Sequence, residues 1–145
     1  MEDKRVLVYK VLFRVQGKLQ RLAKTYLDQF NLSSSEFGII KYLGESSLTL
    51  SELSERMLRV NSNTTATIDH LDAKGLVRRE PDPKDRRAIR VKLTEAGNKL
   101  WEEVVPKHDD FIRELLAALT DFETTALIAL LEKTEKICDG DFTKV

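Results

Sequence analysis

The apolar residues of the N-terminal segment recur at alternating steps of three and four positions, as expected for one face of an α-helix. This pattern predicts an amphipathic helix over residues 4–29. The apolar face consists of Val8, Leu12, Val15, Leu19, Leu22 and Tyr26.

Capping boxes mark the starts of three further helices. In such a box a Ser or Thr is followed three residues later by Glu, and each side chain accepts a hydrogen bond from the other residue's backbone. The first box predicts a helix that ends near Gly44. The second predicts a short helix from Leu50 to about Met57 that buries Leu50, Leu53 and Met57, and the third predicts the last helix. The boxes are Ser33 with Glu36, Thr49 with Glu52, and Thr120 with Glu123.

The segment NSNTTATIDHL, residues 61–71, has helical spacing but an unusual composition. Asn, Ser and Thr are poor helix formers because they compete for backbone hydrogen bonds or lose χ1 freedom. Ile68 and Leu71 are nevertheless spaced to hold a helix against a core. Asn61 or Ser62 is expected to cap its start, and Gly75 to end it as the left-handed C′ residue.

After Gly75 the apolar period changes from 3.6 to 2, which predicts strands over residues 76–80 and 88–93. Residues 81–85 contain two prolines and two aspartates, a composition typical of a turn. Arg78 and Arg79 alternate sides of the first strand. We expect at most one of them on the basic side of the hairpin and the other in a salt-bridge cluster.

A long helix is predicted after Thr94, which is placed to cap it, and extends to about Leu119. Pro106 falls inside this helix. Because proline lacks the backbone N–H and crowds the preceding turn, a kink or a break is expected there. The fold class is therefore mainly α with a small β-hairpin.

The order of short helix, tight turn, polar helix and hairpin is that of a winged helix-turn-helix, whose second helix enters the DNA major groove. Short polar side chains suit that helix, because Asn pairs with adenine and Ser or Thr meets base edges or phosphates. The helix N-terminus also favours phosphate. The alternative is an ordinary surface helix whose polar residues only cap it. The candidate DNA-binding residues are Asn61, Ser62, Asn63, Thr64, Thr65, Thr67 and His70.

The tip of the hairpin supplies a second candidate contact, since arginine on a narrow wing suits insertion into a minor groove. The candidates are Lys84, Arg86 and Arg87, whereas Asp85 is expected to cap the turn or orient an arginine.

The charge of the chain is unevenly distributed although its net value is zero. Residues 74–92 hold eight Lys/Arg against three Asp/Glu, and residues 93–145 hold six against twelve. A basic block of this kind is either an electrostatic footprint for DNA or a solvated charged loop.

The stretch KGLVRREPDPKDRRAIRVKLTEAG, Lys74 to Gly97, resembles the wing and the following helix start of the MarR family of bacterial transcription regulators. The DRR of residues 85–87 followed by VKLTEAG is the most specific part. Two helices before the helix-turn-helix and two after it extend the resemblance to nearly the whole chain.

The resemblance implies a winged-helix homodimer that binds a pseudo-palindromic operator in double-stranded DNA, usually as a repressor. It also implies three regions: an N-terminal dimerisation helix over residues 1–31, a DNA-binding lobe over residues 32–95, and C-terminal dimerisation helices over residues 96–145.

The family's major-groove contacts, carried over, fall on residues 61–67, and its minor-groove arginine falls on Arg87. The chain departs from many relatives at Ala66, where they carry an arginine. Residues 60–73 contain no Lys or Arg at all. Readout is therefore expected to rest on Asn and Thr contacts, His70 and DNA shape.

Regulators of this family often respond to small aromatic or phenolic ligands bound between the dimer helices and the DNA-binding lobe. By this resemblance, a pocket for such a ligand would draw on residues of the first, second and fifth helices. Apolar and aromatic residues at helical spacing are, however, more often core. The pocket candidates are Val8, Leu12, Phe13, Tyr42 and Trp101.

Redox and metal sensing are not expected. The single cysteine, Cys138, lies near the C-terminus and is interpreted as an inert interface or surface thiol. The two histidines are His70 and His108, and consecutive residues of a helix such as His108, Asp109 and Asp110 point in different directions. No metal or other cofactor is predicted.

Other classes of function are less well supported. The sequence has no glycine-rich phosphate loop, nucleophile elbow or HExxH motif, which argues against an enzyme. A winged helix that binds proteins without specific DNA binding is the alternative, but such a module need not keep a basic wing. No apolar run approaches the roughly 18 residues of a membrane span, and the N-terminus lacks a signal-peptide core. With one cysteine, a cytoplasmic location is the simplest expectation.

Overall fold

The computed structural model describes residues 1–57 and 63–140 and is mainly α-helical with a small antiparallel sheet, as predicted. The chain forms two compact units, Met1–His108 and Asp109–Val145. The predicted division into three functional regions stays a prediction. The elements are α1 (Lys4–Asp28), α2 (Ser34–Leu43), β1 (Leu48–Thr49), α3 (Leu50–Met57), α4 (Thr64–Ala73), β2 (Val77–Pro81), β3 (Ile89–Leu93), α5 (Glu95–Leu115) and α6 (Asp121–Cys138).

The three predicted capping boxes are confirmed. The backbone N–H of Glu36 donates to Ser33 Oγ at 3.0 Å, and the Ser33 N–H donates back to the Glu36 carboxylate at 3.3 Å. The same reciprocal pair of hydrogen bonds begins α3 and α6. Because each box joins residues only three positions apart, local sequence is sufficient to define it.

Helix α4 ends as predicted but starts later than predicted. Gly75 has φ +72°, its N–H donates to the Asp72 carbonyl at 2.9 Å, and the Leu76 N–H donates to the Leu71 carbonyl at 3.0 Å. These two bonds form a Schellman motif, which glycine favours because it has no Cβ.

At the other end of α4, Asn63 occupies the N-cap position, whereas the sequence predicts Asn61 or Ser62 as the cap. Both residues lie in 58–62, outside the described residues, as does the predicted turn over 58–60.

The sheet has three strands in the order β1-β3-β2. The predicted hairpin of β2 and β3 is confirmed, although β2 extends to Pro81, which pairs with Ile89 and was assigned to the turn. The additional strand β1 pairs Leu48 with Val91. A two-residue strand is too short to show a period of 2, so no local pattern predicts β1.

The core of the first unit lies among α2, α3, α4 and the sheet. Ile39, Ile40, Leu53, Ile68 and Val91 are fully buried there. Of the residues predicted to be buried by α3, Leu53 and Met57 are buried, whereas Leu50 is only half-buried.

Helix α5 continues through Pro106 and ends at Leu115, so a break at this proline is ruled out and the helix is shorter than predicted. A kink at Pro106 stays a prediction. Thr94 begins α5 as expected, because its Oγ1 accepts the Gly97 N–H at 3.1 Å.

Helices α1 and α6 each carry large apolar side chains that their own unit leaves exposed. In α1 these include Val8, Phe13 and Val15, and in α6 they include Phe122 and Leu130. None of the helices in the described ranges 1–57 and 63–140 is long and apolar enough to cross a membrane.

Candidate nucleic-acid interface

One face of α4 is buried against the core, and it includes two residues predicted to contact DNA. Thr64 and Thr67 are 4% and 7% exposed, which contradicts that prediction for both. Their spacing relative to Ile68 and Leu71 places all four on the inward face. Thr67 Oγ1 donates to the Asn63 carbonyl at 2.9 Å, so the hydroxyl is satisfied within the helix.

The opposite face of α4 presents three of the predicted DNA-binding residues to solvent. Asn63, Thr65 and His70 are exposed, and Ala66 between them is half-buried. The same face carries Asp69, which is not among the predicted DNA-binding residues. The short polar side chains near the start of α4 therefore remain candidates for base or phosphate contacts.

The tip of the hairpin, which we call the wing, projects three cations. Lys84, Arg86 and Arg87 are exposed. Asp85 caps the turn as predicted, because its carboxylate accepts the Arg87 backbone N–H at 3.0 Å, while its carbonyl accepts the Ala88 N–H at 3.0 Å. This turn holds the carboxylate against the backbone and leaves the basic side chains outermost.

The base of the wing is held by an ionic cluster that was not predicted from the sequence. Asp82 is buried, and its carboxylate accepts the Lys84 N–H at 2.8 Å and Arg90 Nη2 at 3.2 Å. Arg90 Nη1 also donates to the Ser47 carbonyl at 2.9 Å. The Lys84 N–H and the Arg90 guanidinium outweigh burial and lower the pKa of Asp82. No local motif connects Ser47 to Asp82, since they are distant in sequence.

Both arginines of β2, Arg78 and Arg79, form ion pairs, whereas the sequence predicts a salt-bridge cluster for only one of them. Arg78 Nε lies 3.0 Å from Glu80 Oε1 on one face of the sheet. Arg79 reaches α4, where Nη1 lies 2.9 Å from Asp72 Oδ2 and Nη2 contacts Asp69 Oδ1. The spacing of the two aspartates, three residues apart on one helix side, is the signal that could have predicted a shared partner.

The five pocket candidates have different environments. Val8 and Phe13 are exposed on α1, Leu12 is half-buried, and Tyr42 and Trp101 pack against the core. Tyr42 lines a cavity of about 450 Å³ with Glu52, Glu55 and Arg56, none of which was a candidate. A ligand pocket built from the five candidates stays a prediction. Cys138 is exposed at the end of α6.

Comparison with known proteins identifies the family. The family model described as "MarR family" matches residues 30–88. The transcriptional regulator PecS of Dickeya dadantii is 31% identical over 135 residues, which cover 90% of this chain and 81% of PecS.

Solved structures agree with this assignment. A MarR-like transcription regulator from Bacillus cereus has a TM-score of 0.81 at 30% identity, with 92% of this chain and 96% of that chain covered. A mutant MarR from E. coli complexed with operator DNA has a TM-score of 0.79 at 29% identity, with 90% and 95% covered. The chain belongs to the MarR family of transcriptional regulators.

Proposed function

We propose that this protein binds a pseudo-palindromic operator in double-stranded DNA, with α4 in the major groove and the wing in the minor groove. The observation that carries the proposal is the wing tip, where Lys84, Arg86 and Arg87 are exposed. Because Asp85 is turned back to cap the chain, these cations are available to phosphates and to the negative potential of a narrow groove.

On α4 the proposed contacts are Asn63, Thr65 and His70, which are exposed. Asn61 and Ser62 stay predictions. Residues 63–73 hold no Lys or Arg, so guanine readout by arginine from this helix is not proposed. Sequence discrimination would rest on short polar contacts and on DNA shape, which the wing senses through groove width.

The proposed assembly is a homodimer. The exposed apolar side chains of α1, and separately those of α6, are the surfaces that a second copy would cover. A dimer of winged helices presents two α4 helices to half-sites about one helical turn, roughly 34–36 Å, apart. A repressor role is proposed from the resemblance to the MarR family, whose members usually act as repressors.

The proposal also includes a response to a small aromatic ligand, a cytoplasmic location and the absence of catalytic function. Relatives such as PecS of Dickeya dadantii and MhqR of Bacillus subtilis are named transcriptional regulators, which supports the absence of catalytic function.

The proposal is tested by titrating the protein into duplex DNA from upstream of its own gene, with a scrambled duplex as control. We expect tighter binding to the upstream duplex, at two protomers per site. Arg87→Ala should weaken binding roughly tenfold, as expected for losing a groove-contacting arginine worth about 1–3 kcal/mol.

The matched control is Lys99→Ala, which removes an exposed positive charge on α5 that pairs only with Glu95 in the described part of the chain. If Arg87→Ala and Lys99→Ala bind DNA as tightly as the unmodified protein, the wing is not the contact. If the unmodified protein binds neither duplex at low salt, the protein-interaction alternative replaces DNA binding.

A further inference from the structure

Arg79 joins strand β2 to helix α4 through one guanidinium group. Its Nη1 lies 2.9 Å from Asp72 Oδ2, and its Nη2 contacts Asp69 Oδ1. Arg79 is paired with the buried Val91 of β3, and directly paired residues of antiparallel strands point to the same face of a sheet. The Arg79 side chain therefore projects from the face of the sheet that packs against the core. A single arginine thus forms ion pairs with two carboxylates of the same helix.

Asp69 lies on the outward side of α4. At about 100° per residue, it is nearly opposite the centre of the buried face and shares the outward surface with Thr65 and His70. Asp72 lies at the edge of this surface and is also exposed. The buried face consists of Thr64, Thr67, Ile68 and Leu71.

The charge of α4 is unfavourable for approaching DNA. Residues 63–73 contain two Asp and no Lys or Arg. Lys74 follows directly, but its Nζ donates to Glu36 Oε2 at 2.6 Å and to the Asn31 carbonyl at 2.8 Å. Within residues 1–57 and 63–140, the ion pairs of Asp69 and Asp72 are those with Arg79. Loss of Arg79 would leave both carboxylates without an ion-pair partner in this part of the chain as α4 approaches the phosphates.

We propose that Arg79 is a positioning residue for DNA recognition. It pairs with Asp69 and Asp72 and offsets one of their two negative charges, so that a helix with no basic residue of its own can approach the phosphates. This inference rests on the DNA-binding function proposed above. The three side chains keep some solvent exposure, so the pairs add little to folding stability. Their effect on binding is larger, because like charges brought together at an interface are costly.

Strand β2 supplies a matched control in Arg78. This arginine carries the same charge one residue earlier, but it lies on the opposite face of the sheet and pairs with Glu80 at 3.0 Å. Arg78→Met and Arg79→Met therefore change the net charge equally. Only the second exposes the carboxylates of α4.

The experiment measures the affinity of four proteins for the upstream duplex and for the scrambled duplex, at about 50 mM and about 200 mM salt. The proteins are the unmodified chain, Arg78→Met, Arg79→Met, and the triple variant Asp69→Asn/Asp72→Asn/Arg79→Met. Circular dichroism and thermal melting verify that each variant is folded.

We expect Arg79→Met to weaken binding to both duplexes roughly tenfold at the lower salt and less at the higher, where charges are screened over about 7–8 Å. Arg78→Met should weaken binding by about threefold or less, as expected for a screened surface charge. The triple variant should recover to within about threefold of the unmodified chain, because the carboxylates and the arginine act as one coupled group.

Two results would overturn this inference without affecting the proposed DNA-binding function. One is an Arg79→Met variant that binds as tightly as Arg78→Met. The other is a triple variant that stays as weak as Arg79→Met, which would show that Arg79 acts by holding the wing in place. Failure of the unmodified chain to bind either duplex would overturn the DNA-binding function itself, together with this inference.

Discussion

At the scale of single residues, Glu36 is a buried carboxylate that joins two helices. It completes the capping box of α2 with Ser33, and its Oε2 accepts Lys74 Nζ at 2.6 Å just after the end of α4. Burial by itself would raise the pKa of Glu36, but hydrogen bonds from Lys74 and Ser33 and the charge of Lys74 outweigh burial and lower it below 4.5. Sequence indicates the cap, whereas Lys74 is a partner 38 residues away.

We expect Lys74→Met to lower the free energy of unfolding by about 1–3 kcal/mol at pH 7, because Glu36 loses a charged hydrogen-bond partner. A carboxylate whose pKa is lowered on folding stabilises the protein above its ordinary pKa. That stability is lost as the pH falls through the lower folded value. The difference in free energy of unfolding between the unmodified chain and Lys74→Met should therefore shrink below pH 4.5. Urea denaturation across pH 3–7 (roughly the range in which a carboxyl titrates) measures it.

The control is Lys24→Met, which removes an exposed lysine from its pair with Asp28 four residues away. An exposed pair of this kind contributes about 0.3–0.5 kcal/mol. A loss in Lys74→Met no larger than in Lys24→Met, or one that does not vary with pH, would contradict the proposed role of Glu36.

At the scale of elements, two glycines act by different physical mechanisms at the junctions of α4 and α5. A Cβ on Gly75 would meet nothing within 4 Å, so the requirement is its φ of +72°. A Cβ on Gly97 would lie 2.1 Å from the Leu76 carbonyl oxygen, so the requirement is close approach of α5 to the backbone that precedes β2. Only the first is readable from sequence, as a helix stop.

We expect Gly75→Ala to cost about 1 kcal/mol, the penalty of a left-handed residue with a Cβ. Gly97→Ala should cost more, about 3 kcal/mol, because backbone atoms must shift. Urea denaturation at a fixed protein concentration measures both, since association would otherwise change the midpoint. An equal loss in the two variants would mean that α5 does not require close contact at Gly97.

At the scale of the whole molecule, the exposed apolar residues of α6 predict self-association. Phe122 is 82% exposed, which leaves a large aromatic side chain in water unless another surface covers it. We expect sedimentation equilibrium to give about twice the chain mass of 16.6 kDa. Phe122→Glu should shift the mass towards that of one chain, because a charge would be desolvated at the interface.

The control for this change is Ser54→Glu, which adds the same charge at an exposed position of α3, outside the apolar surfaces of α1 and α6. It should leave the mass of the assembly unchanged. A monomeric unmodified protein, or a dimer that tolerates Phe122→Glu, would contradict a dimer interface at this position of α6.

Sequence was most informative where the determinants are local. The capping boxes at Ser33, Thr49 and Thr120 and the glycine stop at Gly75 involve residues within a few positions of each other, and all four are confirmed. Asp85 as the cap of the wing turn is confirmed for the same reason.

Sequence was least informative for polar residues that are buried in the fold. Thr64 and Thr67 were predicted to face DNA because they are polar, yet helical phase places them on the buried side. Arg79 was predicted only as one of two arginines that alternate along a strand. Its role depends on which helix faces that strand, and that is a long-range property.

The sequence by itself determined the type and order of the helices, the hairpin with its basic tip, and the family. The hydrophobic period, helix caps and turn residues depend on residues only a few positions apart. They can therefore be recognised in the sequence without a structure. The tertiary structure alone decided that β1 completes the sheet and that Arg79 pairs with Asp69 and Asp72. These features depend on contacts between segments distant in the chain, where packing fixes the partners and no local pattern encodes them.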